Sequence, residues 1–334
     1  MLTVRKASRP RPRIRCGAPP LGVAKSTPDP EPTSGCMRPH IARRALLASL
    51  PALVGMGHVP LAPAAAASMH ASCLPTGFPG SAHAVFGFGA AGAAAAEAAA
   101  AACCSFCNHE DPEWLAALGG MQSGSDAADT VLASEWSFSV LCCDGADREA
   151  LSRAEAIACE LARHGHVAIV IEAGPSAAPM IASTQTAHGR DHPAHLLLPV
   201  RDRLGGIAPT LAAAAATLLS SVACRGIVGV DASDIWSAIG GPGRGVAVHA
   251  VAERGQEVEA FGRSALAAAY KVGVRPSSVR RLLINAVLPP GWRLRELDQL
   301  ATTVSDAFDG ADTAIMSAVY DPTAETASVL LVCS

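Results

Sequence analysis

The sequence predicts an α/β protein in which a parallel, doubly wound nucleotide-type domain and a central helix are followed by an α+β two-layer sandwich domain. Three observations support this. From residue 83 short apolar runs alternate with helical patterns, a long and almost uncharged helical segment follows, and the strands beyond it are spaced by two amphipathic helices. Half of the 334 residues are apolar but only 4% are aromatic, so alanine supplies much of the core.

We expect residues 1–82 to form a disordered extension rich in basic residues, Pro and Ala. Residues 1–44 hold ten Lys or Arg and only two Asp or Glu, without apolar periodicity. Residues 37–68 resemble a secretory signal, with Arg43-Arg44 before an apolar stretch and small residues before Ser68. An extension without a targeting role, or a true start at Met69, are the alternatives. Its Pro and Gly residues argue against a permanent membrane span.

The first elements of the predicted doubly wound domain alternate in the βαβ order. "AVFGF" and "WSFSVLCC" predict strands, "SFCN" a possible strand between them, and "HVAIVIEAG" and "HPAHLLLPV" two more. "AAGAAAAEAAAAA", "DPEWLAALGG" and "REALSRAEAIACELARHG" predict helices, with a loop at 119–129. This order is typical of a parallel sheet with helices on both faces.

The second half begins with the segment "IAPTLAAAAATLLSSVACRG", a helix so apolar that it is expected to be buried on all sides. "GVAVHAVA", "VRRLLINAVLP", "DTAIMSAVYD" and "TASVLLVC" then predict strands, with helices at about 254–271 and 293–308. Two helices are expected to cover one face of this sheet.

A glycine motif follows the first strand of the alternating region. Gly87, Gly89 and Gly92 have the G-x-G-x-x-G spacing that lets a strand turn into a helix whose N-terminal amides face an anion. With 30 glycines in the chain the match is weak alone. A dinucleotide site is an alternative, with Glu110 as the acidic residue for the ribose.

Several segments together resemble the FtsZ/tubulin family. "GIVGVDASDIWSAIGG" is similar to the family's NxDxxD loop, with Asp231 and Asp234 at the acidic positions and Gly229 replacing the asparagine. "GFGAAG" lies where the family has GxGGxG, "FCNHED" keeps Asn108 of its asparagine-threonine-aspartate loop, and "HLLLPVRDRL" resembles its IPNxxL turn. The resemblance implies a truncated GTPase-like domain at 83–205, a central helix at 206–230 and a sandwich domain at 231–334.

The resemblance implies GTP or GDP with Mg²⁺ as ligands. Gly87, Gly89, Gly92, Asn108 and Gly174 would then contact nucleotide. Asp231 and Asp234 would polarise the attacking water in the neighbouring subunit of a head-to-tail assembly, built from copies of the chain or with a true FtsZ of bacterial cell division. A guanine nucleotide pool implies the cytoplasm, with export as the alternative that the segment 37–68 raises.

Departures from the family pattern bear on activity. The signature GGGTGTG is missing between matching flanks, where Gly174 is followed by Pro175-Ser176 and then Ala177-Ala178-Pro179. Glycines turn successive amides onto phosphate, and proline has no amide hydrogen. Whether the protein hydrolyses GTP therefore stays open. An FtsZ-like pseudoenzyme that serves as an interaction partner is the alternative, and capping of the next helix is an alternative role for the two aspartates.

Charge and cysteine content bear on two other classes of function. A net charge of −3 argues against nucleic acid as a partner. Cys103, Cys104, Cys107 and His109 have spacings that zinc could use, but the second cluster, Cys142-Cys143, consists of adjacent residues. We expect buried free thiols and no metal site.

Overall fold

The computed structural model describes residues 69–74, 81–107, 136–174, 192–200, 206–224, 226–240 and 244–334. The strands are β1 (Met69–Leu74), β2 (Ser81–Phe88), β3 (Trp136–Asp144), β4 (Val167–Gly174), β5 (Ala194–Pro199), β6 (Arg244–Val251), β7 (Arg281–Leu288), β8 (Thr313–Tyr320) and β9 (Ser328–Cys333). The α-helices are α1 (Gly89–Cys107), α2 (Arg148–Arg163), α3 (Ile207–Ala223), α4 (Ala232–Ile239), α5 (Val258–Lys271) and α6 (Leu294–Ala307).

The strands form one nine-stranded sheet in the order β1-β2-β3-β4-β5-β6-β9-β7-β8. Neighbours from β2 to β6 are parallel, and β1 pairs antiparallel with β2. β9 lies antiparallel between β6 and β7, and β8 is parallel to β7. The sheet therefore changes from an α/β to an α+β pattern at β6.

Helices cover both faces of this sheet. α1 and α3 share one core with Ile169 and Ile171 of β4, whereas α2 packs on the opposite face against Val170. In the second half α5 and α6 bury Phe261 and Leu300 against one face. The doubly wound half and the two-helix cover of the second half are confirmed.

The central helix α3 is largely buried and almost uncharged, as its sequence predicts, although Pro209 is exposed. Its hydroxyls find partners inside the helix itself. Thr217 Oγ1 donates to Ala213 O at 2.7 Å, and Ser221 Oγ donates to Leu218 O at 2.7 Å. Such bonds satisfy polar groups that a buried helix could not leave unpaired without cost.

Three differences from the sequence expectation concern element boundaries. Ser105–Cys107 of the expected strand "SFCN" continue α1, because the alanine-rich segment before them keeps helical geometry. Met69–Leu74 form β1 on β2, so the end of the extension was set too late. The helical part of the segment 206–230 ends at Ala223, and Ile227 N donates to Ala318 O of β8 at 2.8 Å.

The remaining expectations for this part of the chain are untested. Residues 1–68, the helix "DPEWLAALGG" and the loop at 119–129 lie outside the described residues. The division into domains at 83–205, 206–230 and 231–334 stays a prediction, since a single hydrogen-bonded sheet runs across both halves.

Candidate functional site

The sheet has a topological switch point between β2 and β3. These strands are parallel neighbours, but α1, which follows β2, packs on one face and α2, which follows β3, packs on the other. The two chain segments leave the sheet in opposite directions and open a crevice at the carboxyl ends of the strands. In open α/β sheets this is where ligands bind.

Three glycines let the backbone of β2 and α1 fold tightly at this crevice. A Cβ at Gly87 would lie 2.1 Å from Gly92 O, and a Cβ at Gly92 would lie 2.4 Å from Cys142 O of β3. Gly89 begins α1 with φ +71°, a backbone conformation that favours glycine. Gly87 and Gly92 therefore have a packing role, and Gly89 provides the positive-φ start of α1.

The opposite wall of the crevice is the β3–α2 turn, residues 144–147. Asp144 Oδ1 accepts a hydrogen bond from Ala146 N at 2.9 Å. Asp147 is the N-cap of α2, and its Oδ1 accepts from Ala150 N at 2.9 Å. Its other oxygen, Oδ2, would lie 2.8 Å from a Cβ at Gly89. A carboxylate therefore lies beside the start of α1.

An ion-pair group flanks this turn on the α2 face. Arg244 Nη1 lies 3.0 Å from Glu172 Oε2, and Arg244 Nη2 lies 4.0 Å from Glu155 Oε1. A Cβ at Gly145 would lie 2.7 Å from Glu172 Cγ, so the turn packs directly on this group. Burial lowers the pKa of His195, whose Nδ1 lies 3.9 Å from Glu155 Oε1; Arg244 lowers it further and Glu155 raises it. The group links α2, β4, β5 and β6.

The structure places the other expected nucleotide contacts differently. Gly174 ends β4 at the same edge of the sheet, but β3 separates it from β2, and a Cβ there would meet open space. Asn108 lies outside the described residues. The sequence interpretation placed the second phosphate loop after Gly174, whereas the loop that faces α1 follows β3.

Sequence analysis missed Asp144 and Asp147 as residues of the crevice. A signal was present, because the strand "WSFSVLCC" is followed by "DGAD" and then by a strongly amphipathic helix. What could not be derived was that β3 is the parallel neighbour of β2. That pairing depends on the tertiary arrangement of strands far apart in the chain.

Asp231 and Asp234 form the capping box of α4. Asp231 Oδ1 accepts from Asp234 N at 2.8 Å, and Asp234 Oδ2 accepts from Asp231 N at 3.2 Å. Burial raises the pKa of the exposed Asp231, but hydrogen bonds from Ser233 Oγ and from the amides of Asp234 and Ser233 lower it below its usual value. The alternative that these residues cap the helix is confirmed by these hydrogen bonds.

Within one chain these aspartates lie away from the crevice. α4 packs mainly on β7 and β8, the last two strands in the sheet order, with fewer contacts to β4, whereas the crevice lies between the second and third strands. A joint role at one site would therefore require two copies of the chain.

The crevice fits a guanine nucleotide only in part. The start of α1, where Ala90 is exposed, suits an anion, but the carboxylate of Asp147 lies beside Gly89. In the part of the chain that the structure describes, no group of three or more His, Cys, Asp or Glu is arranged to hold a metal ion.

The described cysteines are mostly buried. Cys142, Cys143 and Cys333 are buried free thiols, and Cys103 is buried as well. Burial, followed by the charge of Glu172, raises the pKa of Cys143 to about 12. Cys224, just after α3, is disulfide-bonded. With so high a pKa, the Cys143 thiol is a poor nucleophile and a poor metal ligand.

Comparison with solved structures finds FtsZ, CetZ and TubZ, all of the FtsZ/tubulin family. An FtsZ of M. jannaschii matches with a TM-score of 0.48 at 17% identity, over 63% of this chain and 68% of that one. A GDP-bound CetZ1 monomer of Haloferax volcanii has a TM-score of 0.43 at 14% identity, over 63% and 68%. TubZ of Bacillus thuringiensis serovar israelensis, in GDP-form protofilaments, has 0.40 at 10% identity, over 70% and 72%.

The sequence comparisons gave no match: no protein-family model and no curated protein aligns with the chain. The described helices also include none with both the length and the apolar composition needed to cross a bilayer.

Proposed function

We propose that the protein is a divergent FtsZ/tubulin-like cytoskeletal protein that self-assembles head to tail and binds guanine nucleotide weakly. The observation that carries this proposal is the crevice at the β2–β3 switch point, where Gly89 begins α1 at positive φ. The family resemblance of "GFGAAG" and "GVDASD" supports the choice of ligand.

The proposed roles follow from position. The first amides of α1 would hold the phosphates, with Gly87 and Gly92 keeping the turn tight. Asp231 and Asp234 of the next subunit would orient the attacking water, because within one chain α4 packs mainly on β7 and β8, at the other end of the sheet order from the crevice. GTP would supply the hydrolysable phosphate and bring Mg²⁺.

Weak binding is expected because the turn after β3 carries a carboxylate where phosphate would lie. Asp147 places a negative charge beside Gly89, and only Gly145 in this turn is a glycine. A loop that cradles phosphate needs consecutive amides turned inward, which glycine allows most readily.

A second candidate is an FtsZ-like pseudoenzyme that assembles or caps filaments of a true FtsZ without hydrolysis. The observation that favours it is the capping box, in which Asp231 and Asp234 are already engaged with each other's amides. Both candidates act where a GTP pool and FtsZ exist, so we propose a cytoplasmic protein of bacterial cell division.

The test is calorimetry of GTP and GDP binding to the full-length chain with magnesium, followed by phosphate release and sedimentation at rising protein concentration. Binding with phosphate release that rises faster than linearly supports an assembly-dependent GTPase. Sedimentation without heat or phosphate release supports the pseudoenzyme. A protein that neither binds nor sediments, alone or with a bacterial FtsZ, contradicts both candidates.

A further inference from the structure

We infer that Asp147 is the residue that decides whether the crevice admits polyphosphate: its carboxylate takes the place beside α1 that a phosphate would otherwise take. The inference rests on the proposed nucleotide site. It assigns to one side chain the weak binding that the proposed function describes.

The position of this carboxylate is held by the β3–α2 turn. Asp147 Oδ1 accepts from Ala150 N at 2.9 Å, and Asp147 N donates to Asp144 O at 3.0 Å. Rotating the side chain away would remove the N-cap of α2. Oδ2 is thereby kept toward Gly89, where it would lie 2.8 Å from a Cβ. The lack of a side chain at Gly89 allows this close approach.

The close approach of the Asp147 carboxylate to the start of α1 has an electrostatic consequence. The start of a helix carries a partial positive charge, which a carboxylate neutralises and a phosphate would otherwise use. A bound phosphate would in addition be repelled at short range by the exposed carboxylate, and salt would weaken this repulsion. Both effects act against polyphosphate and neither acts against a neutral ligand.

The nearby acidic side chains have other partners. Asp144 Oδ1 is engaged with Ala146 N, and Glu172 Oε2 pairs with Arg244 Nη1 at 3.0 Å. Asp144 therefore provides a matched control: it is a carboxylate in the same turn, with a local amide partner of its own.

The decisive variant is Asp147→Asn. Asparagine is as good an N-cap as aspartate, so the variant keeps α2 while removing the charge beside Gly89. Asp144→Asn removes an equal charge from the same turn. Thermal unfolding should show that both variants are folded like the wild type. If Asp147→Asn does not fold, Asp147→Ser is the second variant, because serine also caps a helix.

The measurement is the Kd for GTP with magnesium, by calorimetry on the full-length wild type, Asp147→Asn and Asp144→Asn. We expect Asp147→Asn to bind at least about tenfold more tightly than wild type, and Asp144→Asn to change affinity by less than about threefold. The difference between wild type and Asp147→Asn should shrink at high salt, because screening weakens charge repulsion.

The outcomes separate this inference from the proposed function. Binding by Asp147→Asn alone supports the inference and favours the pseudoenzyme for the wild type. Equal binding by wild type and Asp147→Asn overturns the inference and leaves the nucleotide site standing. Weaker binding by Asp147→Asn also overturns it, because the carboxylate then assists the ligand, for example through magnesium. No binding by any protein overturns both.

Discussion

In the β2–α1 part of the protein the helix meets the sheet through alanine and glycine, whereas in the β6–β9 part the helices meet it through large side chains. Among the residues of α1 whose burial the structure describes, the buried ones are Gly89, Gly92, Ala95, Ala96, Ala99, Ala100 and Cys103. Those of α6 are Leu297, Leu300, Ala301 and Val304. The first arrangement depends on close backbone approach and the second on buried apolar area.

This difference predicts opposite sensitivities. A region built from backbone contact should be damaged by adding a methyl group, and a region built from large side chains should be damaged by removing one. It also bears on function, because the candidate crevice lies in the tightly packed region, where Gly87 and Gly92 are needed for packing whatever they bind.

The largest effect is expected for Gly87→Ala. The added Cβ would lie 2.1 Å from Gly92 O, a backbone atom that cannot move without shifting α1. We expect the free energy of unfolding to fall by at least about 3 kcal/mol, measured by urea denaturation. Gly229→Ala is the control, because nothing lies within 4 Å of its Cβ. Equal stability of the two variants would show that the β2–α1 turn is not close-packed.

The converse test is Leu300→Ala in α6. Leu300 is fully buried, and its truncation should lower the free energy of unfolding by about 2–5 kcal/mol. Leu294→Ala in the same helix is the matched control, because Leu294 is 60% exposed and should change stability by less than about 0.5 kcal/mol. Similar losses for both variants would contradict the assignment of the buried face of α6.

Acid should reveal the half-buried histidine of β6, His249. Burial lowers the pKa of His249 to about 4 from 6.5, and its Nδ1 has no hydrogen-bond partner among the described residues. Because the unfolded chain takes up the proton first, stability should fall as the pH decreases from 6.5 to about 4, by about 3 kcal/mol in total.

His249→Gln should remove that part of the pH dependence, which urea denaturation across this range would measure. A smaller slope of the same sign should persist in the variant, since burial also lowers the pKa of His166 and His195. An unchanged slope in His249→Gln would mean that His249 is solvated.

The smallest effect concerns the aspartates that the two functional candidates share. Asp231→Ala should destabilise the protein by about 1 kcal/mol through loss of the α4 cap, while Asp231→Asn keeps the cap. The pKa of Asp231 is lower in the folded protein than its ordinary value of 3.8. The ionised carboxylate therefore adds stability above pH 3.8, and this stability is lost as the pH falls through the lower folded pKa.

Activity separates the two roles of Asp231. If Asp231→Asn keeps wild-type stability but abolishes phosphate release, the carboxylate acts on the reaction as well as on the helix. Unchanged phosphate release in this variant would leave Asp231 as a cap only. Thermal unfolding and phosphate release measured on the same preparation supply both readouts.

The elements that local pattern defines were predicted from the sequence. Periodicity and turn residues indicate the correct places for β2, which contains Gly87, for the amphipathic helix α2 and for the four strands of the second half. The expected strand "SFCN" failed because Ser105–Cys107 follow an alanine run, and an established helix continues more readily than a short strand begins. β1 was missed because "MHASCL" was assigned to the extension, although it alternates apolar and polar residues and is followed by the turn residues Pro75, Gly77, Pro79 and Gly80.

By itself the sequence determined the fold class, the glycine turn after β2 and the acidic pair that begins α4, since each depends on residues close together in the chain. Only the tertiary structure decided that β3 is the neighbour of β2, that Asp147 therefore faces Gly89, and that Gly174 does not. The reason is that strand order is set by packing between distant segments, and the chemistry of a crevice depends on which strand ends meet there.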